Sequence, residues 1–143
     1  FDGLARVSRV LPVVLPLHPR TRGALAAAGV DPAAEPGVRI VPPVGYLDMV
    51  MLERHAAVVA TDSGGVQKEA FFYRVPCVTL RDETEWVELV ELGWNRLASP
   101  AGGAAALAAA VLEARGRPGR EASPYGAGDT AARIAGALAG GAA

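Results

Sequence analysis

Short runs of Val, Leu, Ile and Ala alternate along this chain with segments whose apolar residues recur at helical spacing. Val10 to Leu17 reads as a buried strand, although Pro12 and Pro16 each remove a ladder donor. Arg20 to Ala28 predicts a helix stopped by Gly29, a residue suited to a left-handed cap. Val38 to Val41 predicts a second strand, ended by Pro42-Pro43, with Gly45 opening a turn. Leu47, Val50, Met51 and Arg54 share one side of a helix that runs to about His55. Ala57 to Ala60 predicts a third strand, Gly64 to Phe72 a helix, and Pro76 to Leu80 a fourth strand. Thr84 to Leu92 predicts a helix with Trp86, Leu89 and Val90 on one face and Gly93 at its cap. Asn95 to Ala98 predicts a fifth strand. Ala104 to Ala114 and Asp129 to Leu138 predict the last helices, separated by a loop from Arg115 to Gly128.

Strands alternating with helices in this way predict an α/β fold, a parallel sheet with helices on both faces and right-handed crossovers. Ligands of such sheets bind beyond the carboxyl ends of the strands. That rule selects His18, Pro43 to Tyr46, Thr61 to Gly65 and Arg81 to Glu85, which are also the most polar stretches of the sequence.

Composition narrows the function classes. The 143 residues suit one domain, 1–143, with 123–143 as its closing helix region. Hydrophobic residues make up 51% and the formal net charge is −1, so the clustered Lys and Arg that drive nucleic-acid binding are missing. Basic side chains are almost all Arg, and Lys68 is the single lysine. Cys77 lies in an apolar run and is expected to pack as a small hydrophobe. Each apolar run is interrupted by Pro, Arg or Asp before the ~18 residues of a membrane span, and the amino terminus does not read as a signal peptide. A cytoplasmic protein is the expectation. With one Cys and two separated His, no metal-ligand cluster or cofactor is expected.

The strongest local signal is Thr61-Asp62-Ser63-Gly64-Gly65-Val66-Gln67-Lys68-Glu69-Ala70, between a strand and a helix. A helix start offers unpaired N–H groups and the positive end of the dipole, and Gly64 and Gly65 let an anion approach the backbone. Ser63 adds a hydroxyl, and the Glu69 carboxylate could reach past phosphates to sugar hydroxyls. The alternative is a structural turn in which Asp62 or Ser63 caps the helix. The spacing matches neither a Walker loop nor a Gly-x-Gly-x-x-Gly fingerprint. His18 is either a phosphate or proton-transfer group or a loop residue bonding its neighbours, and Arg20 beside it could pair with a phosphate. Arg81 and Thr84 could meet a sugar or phosphate. Equally, 81–85 could be a solvated loop with Thr84 as a helix N-cap. Trp86 and Trp94 are expected to pack, and His55 to interact with a helix dipole.

Leu15-Pro16-Leu17-His18-Pro19-Arg20-Thr21, Thr61 through Ala70, and Pro76 through Leu97 resemble the non-hydrolysing UDP-N-acetylglucosamine 2-epimerase family, its carboxyl-terminal half only. Pro124 to Asp129 and the helix carrying Ala132, Arg133 and Ile134 resemble that family's last helix. The resemblance implies a Rossmann-like domain, one half of a GT-B architecture. It also implies conversion of UDP-N-acetylglucosamine to UDP-N-acetylmannosamine by elimination and re-addition of UDP. By the same resemblance Ser63, Gly64 and Gly65 match the diphosphate-binding turn, Glu69 the ribose-binding glutamate, His18 the histidine near the diphosphate, and Arg81 and Glu85 residues of a loop facing the cleft.

Two departures bear on this. The common bacterial pattern Thr-Glu-Arg-Pro-Glu reads Thr84-Glu85-Trp86-Val87-Glu88 here, closer to archaeal epimerases and those of UDP-diacetamido-uronic acids. A Phe-His pair serving an allosteric site in one bacterial branch reads Met49-Val50, so that site is not expected. The family's catalytic carboxylates belong to sequence before residue 1, and residue 1 falls in the helix preceding the first strand. The expectation is a UDP-sugar-binding half, inactive alone, that works with an amino-terminal partner half, in a family usually homodimeric. A GT-B glycosyltransferase half or a non-catalytic UDP-binding remnant are the alternatives.

Overall fold

A computed structural model of the protein describes residues 1–31 and 34–140. Its elements follow in the order α1 (Asp2–Ser8), β1 (Val13–Pro16), α2 (Pro19–Ala27), β2 (Val38–Val41), α3 (Tyr46–Arg54), β3 (Val59–Thr61) and α4 (Gly64–Phe72). After these come β4 (Cys77–Thr79), α5 (Val87–Glu91), β5 (Asn95–Leu97), a 3-10 turn (Pro100–Gly102), α6 (Gly103–Ala114) and α7 (Thr130–Ala139).

All strand pairings are parallel, as expected, but the hydrogen bonds form two sheets. β1 pairs with β2, with Val13 opposite Val38. β4 lies between β3 and β5, with Cys77 opposite both Val59 and Asn95. The two sheets meet through side chains: Val13 packs in one cluster with Val58, Ala60 and buried Val78. Successive strand residues point to opposite faces, which gives the chain two cores from one strand. Val78 faces Val7 of α1 and Ala108, Val111 and Ala114 of α6. Its neighbour Cys77 faces Ala70 of α4, Val59 and Val75. Burial pushes the Cys77 thiol up to about 12, as suits a thiol that packs as a hydrophobe.

Several predicted elements needed correction. The first strand begins only at Val13, because the amides of Val10 and Leu11 close the end of α1 onto the Val7 carbonyl. The helix predicted from Thr84 is Val87–Glu91 alone. The side of α3 that carries Leu47 and Met51 faces solvent, and the buried residue of this helix is Glu53. Gly29 and Gly93 do take the left-handed φ expected of them, 69° and 81°.

Residues 117–125 fold back as a strap. The Arg120 amide donates to the Leu92 carbonyl at 2.8 Å, and the indole N–H of buried Trp94 donates to the Arg120 carbonyl at 2.9 Å. Tyr125 then sets its ring against Phe71, Phe72 and Trp86, 5.7–6.2 Å between centroids. Beyond the strap α7 is exposed along its length, with Ile134 and Leu138 one turn apart in solvent. Residues 141–143 of the closing region lie outside the described residues. No helix among the described residues is long and apolar enough to cross a membrane.

Candidate functional site

The turn between β3 and α4 is built from its own backbone and from a neighbouring loop. Thr61 Oγ1 accepts from the Ser63 amide at 3.0 Å, folding the chain over the end of β3. Ser63 occupies the N-cap position in an extended conformation but makes no side-chain cap bond. The capping alternative for Asp62 or Ser63 therefore gains no support from hydrogen bonding among the described residues. The dipole and free amides of the first turn of a nine-residue helix face outward at Gly64 and Gly65. A Cβ on Gly65 would meet only Ser63 Oγ, at 3.9 Å. A Cβ on Gly64 would collide with Glu85 Oε1 and lie 3.5 Å from the Trp86 indole nitrogen. Gly64 is thus the residue that lets the loop after β4 approach the turn.

That loop brings in the charged residues predicted beyond β4. Arg81 and Glu85 form an ion pair at 3.1 Å, both partly exposed, a geometry worth roughly 0–1 kcal/mol. Glu85 Oε1 faces Gly64, so this pair sits against the start of α4. Thr84 is not a helix cap. Its hydroxyl donates to Gln67 Oε1 and accepts from the Trp86 amide at 3.1 Å. Gln67 is buried, and its Oε1 also accepts from Asn95 Nδ2 at 2.9 Å, while Asn95 Oδ1 accepts from Thr79 at 2.8 Å. Thr84 and Asn95 thus share the Gln67 amide oxygen, whose companion Nε2 is buried without a hydrogen-bond partner among the described residues, and these bonds tie the loop to α4 and, through Asn95 and Thr79, to β4 and β5. The pattern of apolar residues gave no sign of them. A signal was available in the three small polar side chains Thr79, Thr84 and Asn95 around an otherwise apolar strand.

His18 takes the N-cap of α2, and its Nδ1 accepts from the Arg20 amide at 3.2 Å. This is the neighbour-bonding arrangement, and it leaves the ring exposed at the carboxyl end of β1. Nδ1 as acceptor places the ring proton on Nε2, the nitrogen left to meet a ligand. His55 closes α3 with Nδ1 2.9 Å from the Met51 carbonyl, matching its expected place at a helix end. Trp94 is core, as expected. Trp86 is only half-buried, and its indole N–H donates to the Gly64 carbonyl at 2.8 Å.

One residue escaped the sequence reading. Glu53 is 2% exposed, and both carboxylate oxygens are buried without a hydrogen-bond partner. Burial, and next the negative charge of Glu69, push its carboxyl up to about 7. The candidate ribose ligand Glu69 therefore stands on α4 within electrostatic reach of a second, buried carboxyl on α3. No group of three His, Cys, Asp or Glu suited to a metal occurs among the described residues.

A family model described as UDP-N-acetylglucosamine 2-epimerase matches residues 1–139. A UDP-2,3-diacetamido-2,3-dideoxy-D-glucuronate 2-epimerase of Pseudomonas aeruginosa is 48% identical over 134 residues, which cover 91% of this chain and 35% of that protein. The UDP-GlcNAc 2-epimerase structure from Methanocaldococcus jannaschii superimposes with a TM-score of 0.86 at 35% identity, covering 98% of this chain and 40% of that one. The same enzyme in complex with UDP-GlcNAc and UDP gives 0.84. The chain spans little more than a third of the length of these relatives. Its parallel α/β architecture, its glycine turn and the match across nearly every described residue place it in the UDP-N-acetylglucosamine 2-epimerase family.

Proposed function

We propose that this chain is the UDP-holding half of a nucleotide-sugar 2-epimerase, working in the cytoplasm on a UDP-linked acetamido sugar with an amino-terminal half in the complete enzyme. The observation that carries the reading is the amino terminus of α4: a capless first turn at Gly64 and Gly65, directly after a parallel strand, with Glu69 farther along the same helix. Departure of UDP from the sugar concentrates negative charge on the diphosphate. Amide donors and a helix dipole already aimed at that position stabilise the charge as it develops. Held there, UDP stays beside the unsaturated sugar for re-addition to the opposite face, an effective-concentration advantage. Ser63 adds a hydroxyl donor, and His18 an imidazole N–H to the same diphosphate. Glu69 takes the ribose hydroxyls. Arg81 and Glu85, paired against Gly64, line the side of the turn that faces the sugar. The exposed Ile134 and Leu138 of α7 are an apolar surface for the amino-terminal half to cover.

Titration calorimetry with UDP, UMP and ADP tests this, with UDP expected to bind best. Glu69→Ala removes a charged hydrogen-bonding partner and is expected to weaken UDP by about 1.5–3 kcal/mol. Identical UDP affinity in the parent and the variant would remove Glu69 from the ribose role.

A further inference from the structure

We propose that Tyr125 and Lys68 clamp the Trp86 indole and, through it, hold the first turn of α4 in its anion-binding shape, which makes all three positioning residues for the nucleotide. The inference rests on the UDP site proposed above. Trp86 reaches the turn directly, its indole N–H donating to the Gly64 carbonyl at 2.8 Å. The indole is itself held from two directions. The Lys68 ammonium lies 4.3 Å from the centroid of the Trp86 ring and 4.1 Å from that of Tyr125. The two rings meet edge-on at 88° with centroids 6.2 Å apart. The three groups close a triangle, and cation–π attraction within about 6 Å of a ring face favours each of the Lys68 contacts.

Both ends of the triangle are anchored. Tyr125 donates its hydroxyl to Glu88 on α5 at 2.7 Å and stands edge-on to Phe71 on α4. The Trp86 amide donates to Thr84 Oγ1, whose hydroxyl donates to buried Gln67. One loop is thus tied to α4 at Gly64 and at Gln67, and the amides proposed to meet the diphosphate lie in the turn between those ties. An arginine in place of Trp86 would offer Lys68 a like charge instead of a ring. The indole accepts the ammonium on its face and still supplies the N–H for Gly64. The strap of residues 117–125, through Tyr125, thereby sets the geometry of a turn far from it in sequence.

The test compares the chain with Trp86→Phe, Tyr125→Ala and Tyr125→Phe, by amide hydrogen exchange and by UDP titration. Trp86→Phe keeps a ring but deletes the N–H to Gly64. Tyr125→Ala removes a wall of the clamp, and Tyr125→Phe restores the ring. Trp86→Phe and Tyr125→Ala are expected to speed exchange at Gln67 to Glu69, the first hydrogen-bonded amides of α4, relative to Cys77–Thr79 of β4. Both are expected to weaken UDP by about tenfold, and Tyr125→Phe, which keeps the ring but loses the bond to Glu88, is expected to lose less than Tyr125→Ala in both measurements. Unchanged exchange and unchanged UDP affinity in folded Trp86→Phe overturn the clamp. So does faster exchange spread equally over α4 and β4, the signature of a general loss of stability. Gly65→Val separates the two readings. If it loses UDP while Trp86→Phe keeps it, the site stands and the clamp fails. If Gly65→Val binds UDP as the parent does, the site itself fails, and the clamp's role in nucleotide binding fails with it.

Discussion

Glu53→Gln is expected to leave the chain more stable than the parent above pH 7 and equal to it below about pH 4.5. Glu53 is buried without a hydrogen-bond partner on either oxygen, and its carboxyl is raised from 4.5 to about 7, first by burial and then by the charge of Glu69. A folded chain that holds this proton more tightly than the unfolded one loses stability as pH rises through that window. The contribution is therefore present in full below the unfolded value and gone above the folded one. A difference of that size between the folded and unfolded carboxyl is worth at most about 3 kcal/mol, and solvent screening reduces it. Gln fills the same space and cannot ionise, so its stability should not carry this slope. Denaturant unfolding of both proteins at half-unit intervals from pH 4 to about 9 measures it. Parallel stability curves for parent and variant would show that Glu53 titrates as an ordinary surface carboxylate. Asp48 and Arg54 share α3 with Glu53, and Tyr46, Tyr73, Glu69 and Cys77 are titratable neighbours from its own and the facing elements. Burial holds the Tyr73 phenol and the Cys77 thiol above their ordinary values, so neither ionises ahead of Glu53 as the pH rises.

Gly65→Val is expected to weaken UDP binding at least about tenfold, or about 1.4 kcal/mol, while the ligand-free chain stays folded. Gly65 is not among the left-handed glycines, so a side chain there meets no backbone strain. Its Cβ points into open space apart from Ser63 Oγ at 3.9 Å. The β-branched side chain then costs only local helix propensity, and the midpoint should fall by a few degrees, since about 1 kcal/mol moves a domain of this size roughly 2–8 °C. What the side chain does obstruct is the approach of an anion to the first-turn amides. Gly64→Val is the contrasting variant. It collides with the Glu85 carboxylate and crowds Trp86, so it should disturb the loop even without ligand. Thermal unfolding and UDP titration of both variants separate the two effects. A folded Gly65→Val that binds UDP normally would return the turn to a purely structural role.

Local chemistry was enough where one element carried its own signals. Gly64–Phe72 and Val38–Val41 have the ends their sequences predicted, because a glycine pair opens the first and Pro42-Pro43 closes the second. The parallel α/β class followed from the alternation of strand and helix. The glycine turn, Glu69 and His18 could be named as candidates because strand ends gather ligands whatever the rest of the chain does.

Other features depended on which elements touch. Apolar residues occupy α3 at Leu47, Met49, Val50, Met51 and Leu52, on nearly every side of a nine-residue helix. Periodicity cannot choose a face in such a segment, and packing against α4 buried Glu53 while leaving Leu47 76% exposed. Thr84 read either as a helix cap, since Thr before an acidic turn often is one, or as a sugar or phosphate contact. Burial beside Gln67 and Asn95 gave its hydroxyl a better partner. Five strands read as one sheet, yet the ladder breaks between two sheets, joined by apolar contacts around Val13 and Val78 that no strand sequence specifies. The sequence by itself determined the elements, the parallel class and the glycine turn, all products of interactions a few residues long. Tertiary structure decided the buried charge of Glu53, the Thr84–Gln67–Asn95–Thr79 chain and the seat of Trp86 on Gly64. Each of these depends on the low-dielectric surroundings that arise only when residues distant in sequence close over one another.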